Sequence, residues 1–269
     1  MRIGIGTYAM AWSIGVPGFE PEDPMDIYDF LKFVHSKGIN LVQIADNLPL
    51  HKYSSEELEK IRALAKQLNI GVEVGTRGLF KENMLRYIEI ASFFSSPILR
   101  VVIDNAEFKP TIAEIISIIH DLVPVLKEKK IKLAIENHDR LKAGQFCEII
   151  KSVNSDFVGI CLDSVNSIGA DEGFQVVFDL LAKYTINFHL KDYMIRRKPH
   201  MMGFEITGTP AGQGMMPLEK VLATLSEMGK TDSMILELWP DPEISLEKTI
   251  EKERRWIDES LEYLTNLSI

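Results

Sequence analysis

A single (β/α)8 barrel of the α/β class, spanning residues 1–269 as one domain, is the fold this chain predicts, on three observations. Eight short runs are apolar along their length rather than at alternate residues, the pattern of strands covered on both faces in parallel sheets. Longer segments of helical period lie between them, and eight strand–helix units in a chain of this length match such a barrel. No Pro-, Gly- or Ser-rich linker, low-complexity tract or sequence repeat divides the chain. The competing fold is an open doubly wound sheet. It ordinarily uses fewer strands, and no run here is followed by Gly-x-Gly-x-x-Gly.

The strand runs, in order, are RIGIGTY from Arg2, INLVQIAD from Ile39, IGVEVGT from Ile70, ILRVVID from Ile98, IKLAIEN from Ile131, FVGICLD from Phe157, INFHLKD from Ile186 and SMILELW from Ser233. Gly38, just before the second run, has the place of a helix C-cap residue. Ser54 and Ser55 precede a Glu-rich first turn in SSEELEKIRALAKQLN. Thr111 stands three residues before Glu114 at the head of TIAEIISIIHDLVPVLKEKK, the spacing of a capping box. The Gly- and Met-rich segment MMGFEITGTPAGQGMM reads as a lid over a site, since glycine permits hinging and methionine packs adaptably; an interface loop is the competing account. SLEKTIEKERRWIDESLEYLTNL is a final amphipathic helix of the outer ring.

Composition narrows the functional classes. An apolar content of 46% over 269 residues excludes a disordered chain. Cys147 and Cys161 sit among apolar neighbours, which suits buried thiols in a reducing compartment. The N-terminus lacks the apolar core of a signal peptide and no stretch reaches the roughly 18 apolar residues of a membrane span, so a cytoplasmic protein with no membrane partner is expected. A formal net charge of −9 argues against a nucleic-acid partner, which calls for clustered Lys and Arg.

Barrel enzymes place their chemistry where strands end at the C-terminal face. The fifth to eighth runs end in Glu136, Asp163, His189 and Glu237, so four successive strands deliver a carboxylate or an imidazole to one rim. Like charges gathered there are costly unless a cation lies between them, and a bound divalent metal resolves the conflict. Three carboxylates and one His make a mainly hard site, suited to Mn²⁺, Mg²⁺ or Co²⁺, with Zn²⁺ also compatible. Nearby cations could meet an anionic substrate group: Arg77 after the third run, Arg100 in the fourth and Lys191 after His189. Arg100 could instead point outward or pair with Asp104, and Arg196, Arg197 and Lys198 read as a solvated charge run. His138 could bond a substrate oxygen. Tyr8 and Trp12 could wall a sugar face. Asp46 and Asn47 either bond substrate hydroxyls or start the next loop, and His51 is the exposed-loop type.

The segments AIENH, CLDSVN, HLKD, PAGQGMMPLEKVL and LELW resemble the xylose isomerase-like TIM barrels, the sugar phosphate isomerase/epimerase superfamily that includes tagatose epimerases, hydroxypyruvate isomerases, inosose dehydratases and endonuclease IV. The resemblance covers essentially the whole chain. It implies that Glu136, Asp163, His189 and Glu237 bind one divalent metal, the same four reached from the strand ends. It also implies a small sugar or sugar-acid substrate, and leaves open pairing into a homo-oligomer through loops at the active-site face.

Two departures from the family pattern bear on the reaction. Asn166 stands where epimerases commonly carry a His three residues after the strand-six Asp, and Lys142 where they carry a second Glu. A two-base epimerase needs an acid or base on each face of the inverted carbon, and here Glu237 is the one obvious base. Endonuclease IV chemistry needs more His ligands at strand ends than six histidines supply. The expected function is therefore a metal-dependent sugar isomerase or epimerase working through an enediolate, with Glu237 and Glu136 catalytic and His138, Arg77, Lys191, Arg100 and Asn166 around the substrate. The alternative is a lyase, a decarboxylase or dehydratase of a keto sugar acid. A non-catalytic carbohydrate-binding barrel is the remaining class.

Overall fold

A computed structural model describes residues 1–267. β1 (Arg2–Gly6), β2 (Leu41–Ile44), β3 (Gly71–Arg77), β4 (Ile98–Val102), β5 (Lys132–Glu136), β6 (Val158–Asp163) and β7 (Thr185–Leu190) pair in parallel, each with the next. After an antiparallel hairpin of β8 (Asp192–Arg197) and β9 (Phe204–Thr209), β10 (Ser233–Leu236) pairs with β7 and with β1, which closes the barrel. All eight apolar runs hold a barrel strand.

The surrounding helices are α1 (Ala11–Ile14), α2 (Ile27–Ser36), α3 (Ser55–Gln67), α4 (Lys81–Phe93), α5 (Ile112–Lys129), α6 (Ala143–Val153), α7 (Phe174–Leu181), α8 (Leu218–Met228) and α9 (Leu246–Asn266). Both expected capping boxes form. The Glu57 carboxylate accepts from the Ser54 backbone N–H at 2.7 Å while Ser54 Oγ accepts from the Glu57 N–H at 3.3 Å, and Thr111 with Glu114 repeats the pattern. Gly38 takes φ +72°, the left-handed conformation in which glycine carries no Cβ penalty. On α5, Ile115, Ile119, Leu122 and Leu126 are spaced by four, three and four residues and fully buried, so one stripe of the helix meets the sheet.

The lid reading of 201–216 is corrected in part. Residues 204–209 pair with 192–197 in the hairpin, in a register that sets Asp192 opposite Thr209 and Arg197 opposite Phe204. The Gly-rich part is a clamp on Asp192, whose carboxylate accepts from the backbone N–H of Gly212 and Gly214 at 2.9 Å and of Met216 at 3.0 Å. A Cβ at Gly214 would lie 2.1 Å from Asp192 Oδ1, so only glycine fits there. At the other end of the chain, α9 is tied to α1. The buried Glu253 carboxylate accepts from the backbone N–H of Trp12 at 2.8 Å and of Ser13 at 3.0 Å, and from Ser13 Oγ at 2.7 Å.

Candidate metal centre and substrate cavity

The C-terminal strand ends bring the four candidate ligands together. Glu136 is the last residue of β5, Asp163 the last of β6, His189 the fifth residue of β7, and Glu237 directly follows β10. All four are 0–1% exposed. His189 Nδ1 lies 3.3 Å from Glu136 Oε2, 3.4 Å from Glu237 Oε1 and 3.9 Å from Asp163 Oδ2. Ligands that each sit about 2.1 Å from one ion stand roughly 3–4 Å apart, so these separations fit a shared divalent cation. The residues present also ask for one: His189 Nδ1 and both Glu237 carboxylate oxygens are buried without a hydrogen-bond partner. Cys161 stands close enough to join a group with Glu136 and His189, but burial, then the Glu136 charge, hold its thiol protonated well above the usual range. The donor set is oxygen-rich and hard.

Each ligand is oriented by a specific partner. Glu136 Oε2 takes a short hydrogen bond from Arg100 Nε, and its Oε1 accepts from Asn166 Nδ2 at 2.8 Å. Asp163 Oδ1 accepts from the backbone N–H groups of Val165 and Asn166, both at 2.8 Å. Lys191 Nζ lies 2.6 Å from Asp163 Oδ2 and 2.9 Å from Glu237 Oε2, the second an ion pair without hydrogen-bond alignment. For Glu136, Glu237 and Lys191 burial disfavours charge, and the neighbouring opposite charges outweigh it. Arg100 and His189 hold Glu136 below the ordinary carboxylate range, His189 and Lys191 hold Glu237 well below it, and Asp163 with Glu237 holds the Lys191 ammonium charged.

Around this cluster lies a cavity of about 460 Å³, lined by Arg77, Arg100, His138, Asn166 and Lys191 and walled by Tyr8, Trp12 and Trp239. Every predicted substrate-binding residue is therefore at the cavity, but their freedom differs. Arg100, which could have paired with Asp104, is instead 2% exposed inside the barrel, shared between Glu136 and Asp46 Oδ1 at 2.9 Å. Asp104 pairs with Arg140. Asn166 is spent on Glu136. Arg77 gives Nε to Asp46 Oδ2 at 3.1 Å and brings Nη2 to 3.4 Å from His138 Nε2, which leaves it the most open guanidinium of the cavity. His138 Nδ1 lies 3.0 Å from Asp139 Oδ2, and Asp139 holds φ +28°. Asp46 is a hub for Tyr8, Arg77 and Arg100, and Asn47 bonds Thr7, so both are occupied. Lys142 is exposed at the start of α6, outside the cavity lining. His51 is exposed, and its ring bonds Tyr87 at 2.7 Å.

Sequence reading missed Trp239, two residues after Glu237, and the Asp46 hub, whose partners are 31 to 54 positions away. It also missed Gln43, Glu73 and Asn187, buried beneath the rim. Their one signal was a polar residue within a continuously apolar run. Cys147 and Cys161 are free and buried, as expected, and among the described residues no helix is long and apolar enough to cross a membrane.

Comparison with known proteins follows the same lines. The chain is 30% identical over 266 residues to a 3-oxo-isoapionate decarboxylase of Pectobacterium atrosepticum, covering 98% of this chain and 95% of the relative. Among solved structures, D-psicose 3-epimerase with D-fructose superposes with a TM-score of 0.74 at 16% identity, over 99% of both chains. The IolI protein with a bound zinc atom superposes at 0.67 and 19% identity, over 98% of this chain and 99% of that one. At such identities the two structures speak for the fold. The sequence pattern described as xylose isomerase-like TIM barrel matches residues 31–266, and the chain belongs to that family.

Proposed function

We propose that the protein is a divalent-metal-dependent lyase that decarboxylates a 3-oxo sugar acid, with Glu136, Asp163, His189 and Glu237 as the metal ligands. The observation that carries this reading is the makeup of the cavity: cations face it, while of its carboxylates Glu136 and Glu237 belong to the ligand set and Asp139 sits on His138 at the exposed edge. Beyond the ligand pair Glu136 and Glu237 and Asp139 at the edge, the described lining offers no further carboxylate to serve as a base for a two-base inversion, and a decarboxylation needs none. The named activity of the 30% identical relative supports the same reaction type.

A bound divalent ion would supply a Lewis acid for the ketone oxygen. The chain's own residues do the rest. In the cluster, Asp46, Glu136, Asp163 and Glu237 face Arg77, Arg100 and Lys191, four carboxylates against three permanent cations. With a divalent ion held by these ligands beside a neutral His189, that surplus of one negative charge would become one positive, and the cavity would favour a substrate anion. Arg77 offers that anion its open nitrogens. Trp12, Trp239 and the neighbouring Leu238 and Pro240 exclude water along one wall. When the carbon–carboxylate bond breaks, its electron pair stays on the substrate and is delocalised onto the ketone oxygen, and carbon dioxide leaves. The carbon then takes one proton, for which His138 and Lys191 are the cavity's proton-bearing side chains.

The second reading is an isomerase in which Glu237 carries a proton between adjacent carbons, favoured by its place at the cavity. Product analysis in D₂O separates the two, with Mn²⁺ or Mg²⁺ supplied and 3-oxo sugar acids, ketoses and ketose phosphates as substrates. Release of carbon dioxide with one solvent deuterium in the product is the expected result. An isobaric product carrying deuterium would replace the lyase with the isomerase. Binding without turnover across the panel would leave the carbohydrate-binding class.

A further inference from the structure

Below the candidate ligands, the barrel interior holds a fully buried polar layer. His189 Nε2 lies 2.6 Å from Gln43 Oε1. The Gln43 amide nitrogen donates to Glu73 Oε2 at 3.2 Å and to Asn187 Oδ1 at 3.1 Å. Asn187 Nδ2 in turn donates to Glu73 Oε2 at 3.2 Å and to Ser233 Oγ at 2.8 Å, while its Oδ1 also accepts from Cys161 Sγ at 3.2 Å. Gln43, Glu73, Asn187 and Ser233 are all 0% exposed.

A donor and acceptor count leaves this layer one arrangement. As a carboxylate oxygen, Glu73 Oε2 accepts from two amides, so both amide nitrogens point at it. Turning the Gln43 amide over would set its oxygen against Glu73 Oε2 and Asn187 Oδ1, losing both bonds of the amide nitrogen. Gln43 therefore presents a carbonyl oxygen to His189, which keeps a ring proton on Nε2, so that in the neutral ring Nδ1, the atom near all three carboxylates, is the nitrogen that carries the lone pair.

We propose that Gln43 is a positioning residue for the metal centre: its carbonyl takes the Nε2 proton of His189 and so presents Nδ1 to the metal, and Glu73 and Asn187 hold the amide in that sense. This rests on the metal-site reading above. A partner on the far nitrogen of a ligating His fixes both tautomer and ring direction, and its loss typically costs about 10–100-fold in affinity.

The test is Mn²⁺ binding by calorimetry, with a thermal melt of each apo protein alongside. Gln43→Leu is expected to weaken Mn²⁺ about 10–100-fold. Ring ¹⁵N spectra of the Zn²⁺-loaded wild type should show His189 protonated on Nε2, a signature that a purely structural glutamine would not set. Wild-type affinity in Gln43→Leu, or an Nδ1-protonated His189, overturns the positioning role. If Gln43→Leu does not fold, the wild-type spectrum decides. A wild type that binds no divalent ion removes the metal site itself, and the proposal with it.

Discussion

The rim of the barrel interior and the layer beneath it are both polar and both buried, yet they are satisfied differently. In the layer, Gln43 and Asn187 bond each other and Glu73 Oε2, and Asn187 bonds Ser233, leaving Glu73 Oε1 as the one polar side-chain atom of these four with no hydrogen-bond partner. At the rim, Glu136, Asp163 and Glu237 carry charge that Arg100 and Lys191 only partly match, and His189 Nδ1 and both Glu237 oxygens remain unpartnered. Buried polar groups left open are the costly ones, so the place where a fold tolerates them is where an outside group is to be received. The layer makes the rim rigid, and the rim is chemically incomplete.

Removing a rim ligand should have the largest effect. His189→Ala is expected to lower divalent-metal affinity beyond the roughly 100-fold upper range for loss of an outer partner, and Glu136→Gln to reduce bound ion severalfold. Equilibrium dialysis with elemental analysis checks both, and full retention in the two variants would remove these residues from the ligand set. Next comes Arg100→Met, which strips the buried partner from Glu136 and Asp46; about 3–5 kcal/mol of stability should go, read by denaturant unfolding. Arg77→Met tests the contrast between the two arginines that share Asp46. If Arg77 holds the substrate anion, KM should rise about 10-fold or more, in line with the 1.5–3 kcal/mol of a charged hydrogen bond, with stability little changed.

A pH series probes the far side of the cavity wall. Burial pushes the Glu253 carboxyl up to about 7, against the pull of its bonds to Ser13 and Trp12. A carboxyl raised in the folded state favours folding while protonated, so its contribution is full below the ordinary Glu range and is lost as pH rises through about 7. Unfolding midpoints should therefore fall from pH 5 to pH 8 by the equivalent of about 1–3 kcal/mol, and Glu253→Gln should flatten the curve. The smallest effect belongs to Lys142→Ala. Exposed and outside the cavity lining, Lys142 should shift stability by no more than about 0.5 kcal/mol and leave turnover unchanged; a large loss of activity would bring it back to the site.

The rim was legible in the sequence because strand ends announce themselves. An apolar run that stops on a carboxylate or an imidazole, four times in succession, says both where the strands end and what they hold. The layer was not, because Gln43, Glu73 and Asn187 sit inside runs whose apolar neighbours dominate the pattern, and their partners are 30 to 144 positions away. Arg100 was seen but its pairing was not, for the same reason, since Asp46 is 54 residues from it. The hairpin of β8 and β9 was missed because its strands are largely exposed and mix charges with methionine and glycine, a composition that reads equally well as a loop.

The bond between Glu253 and α1 also orders events in time. Trp12 and Ser13 leave the ribosome early, and the carboxylate that completes them is made 240 or more residues later. At synthesis rates of about 5–20 residues per second, that is an interval on the order of ten seconds to a minute. Throughout it the first wall of the cavity is a nascent segment whose amides bond water, or a chaperone, in place of Glu253. A ribosome stalled within α9 would therefore display a chain with nearly every strand emerged and its cavity still unframed.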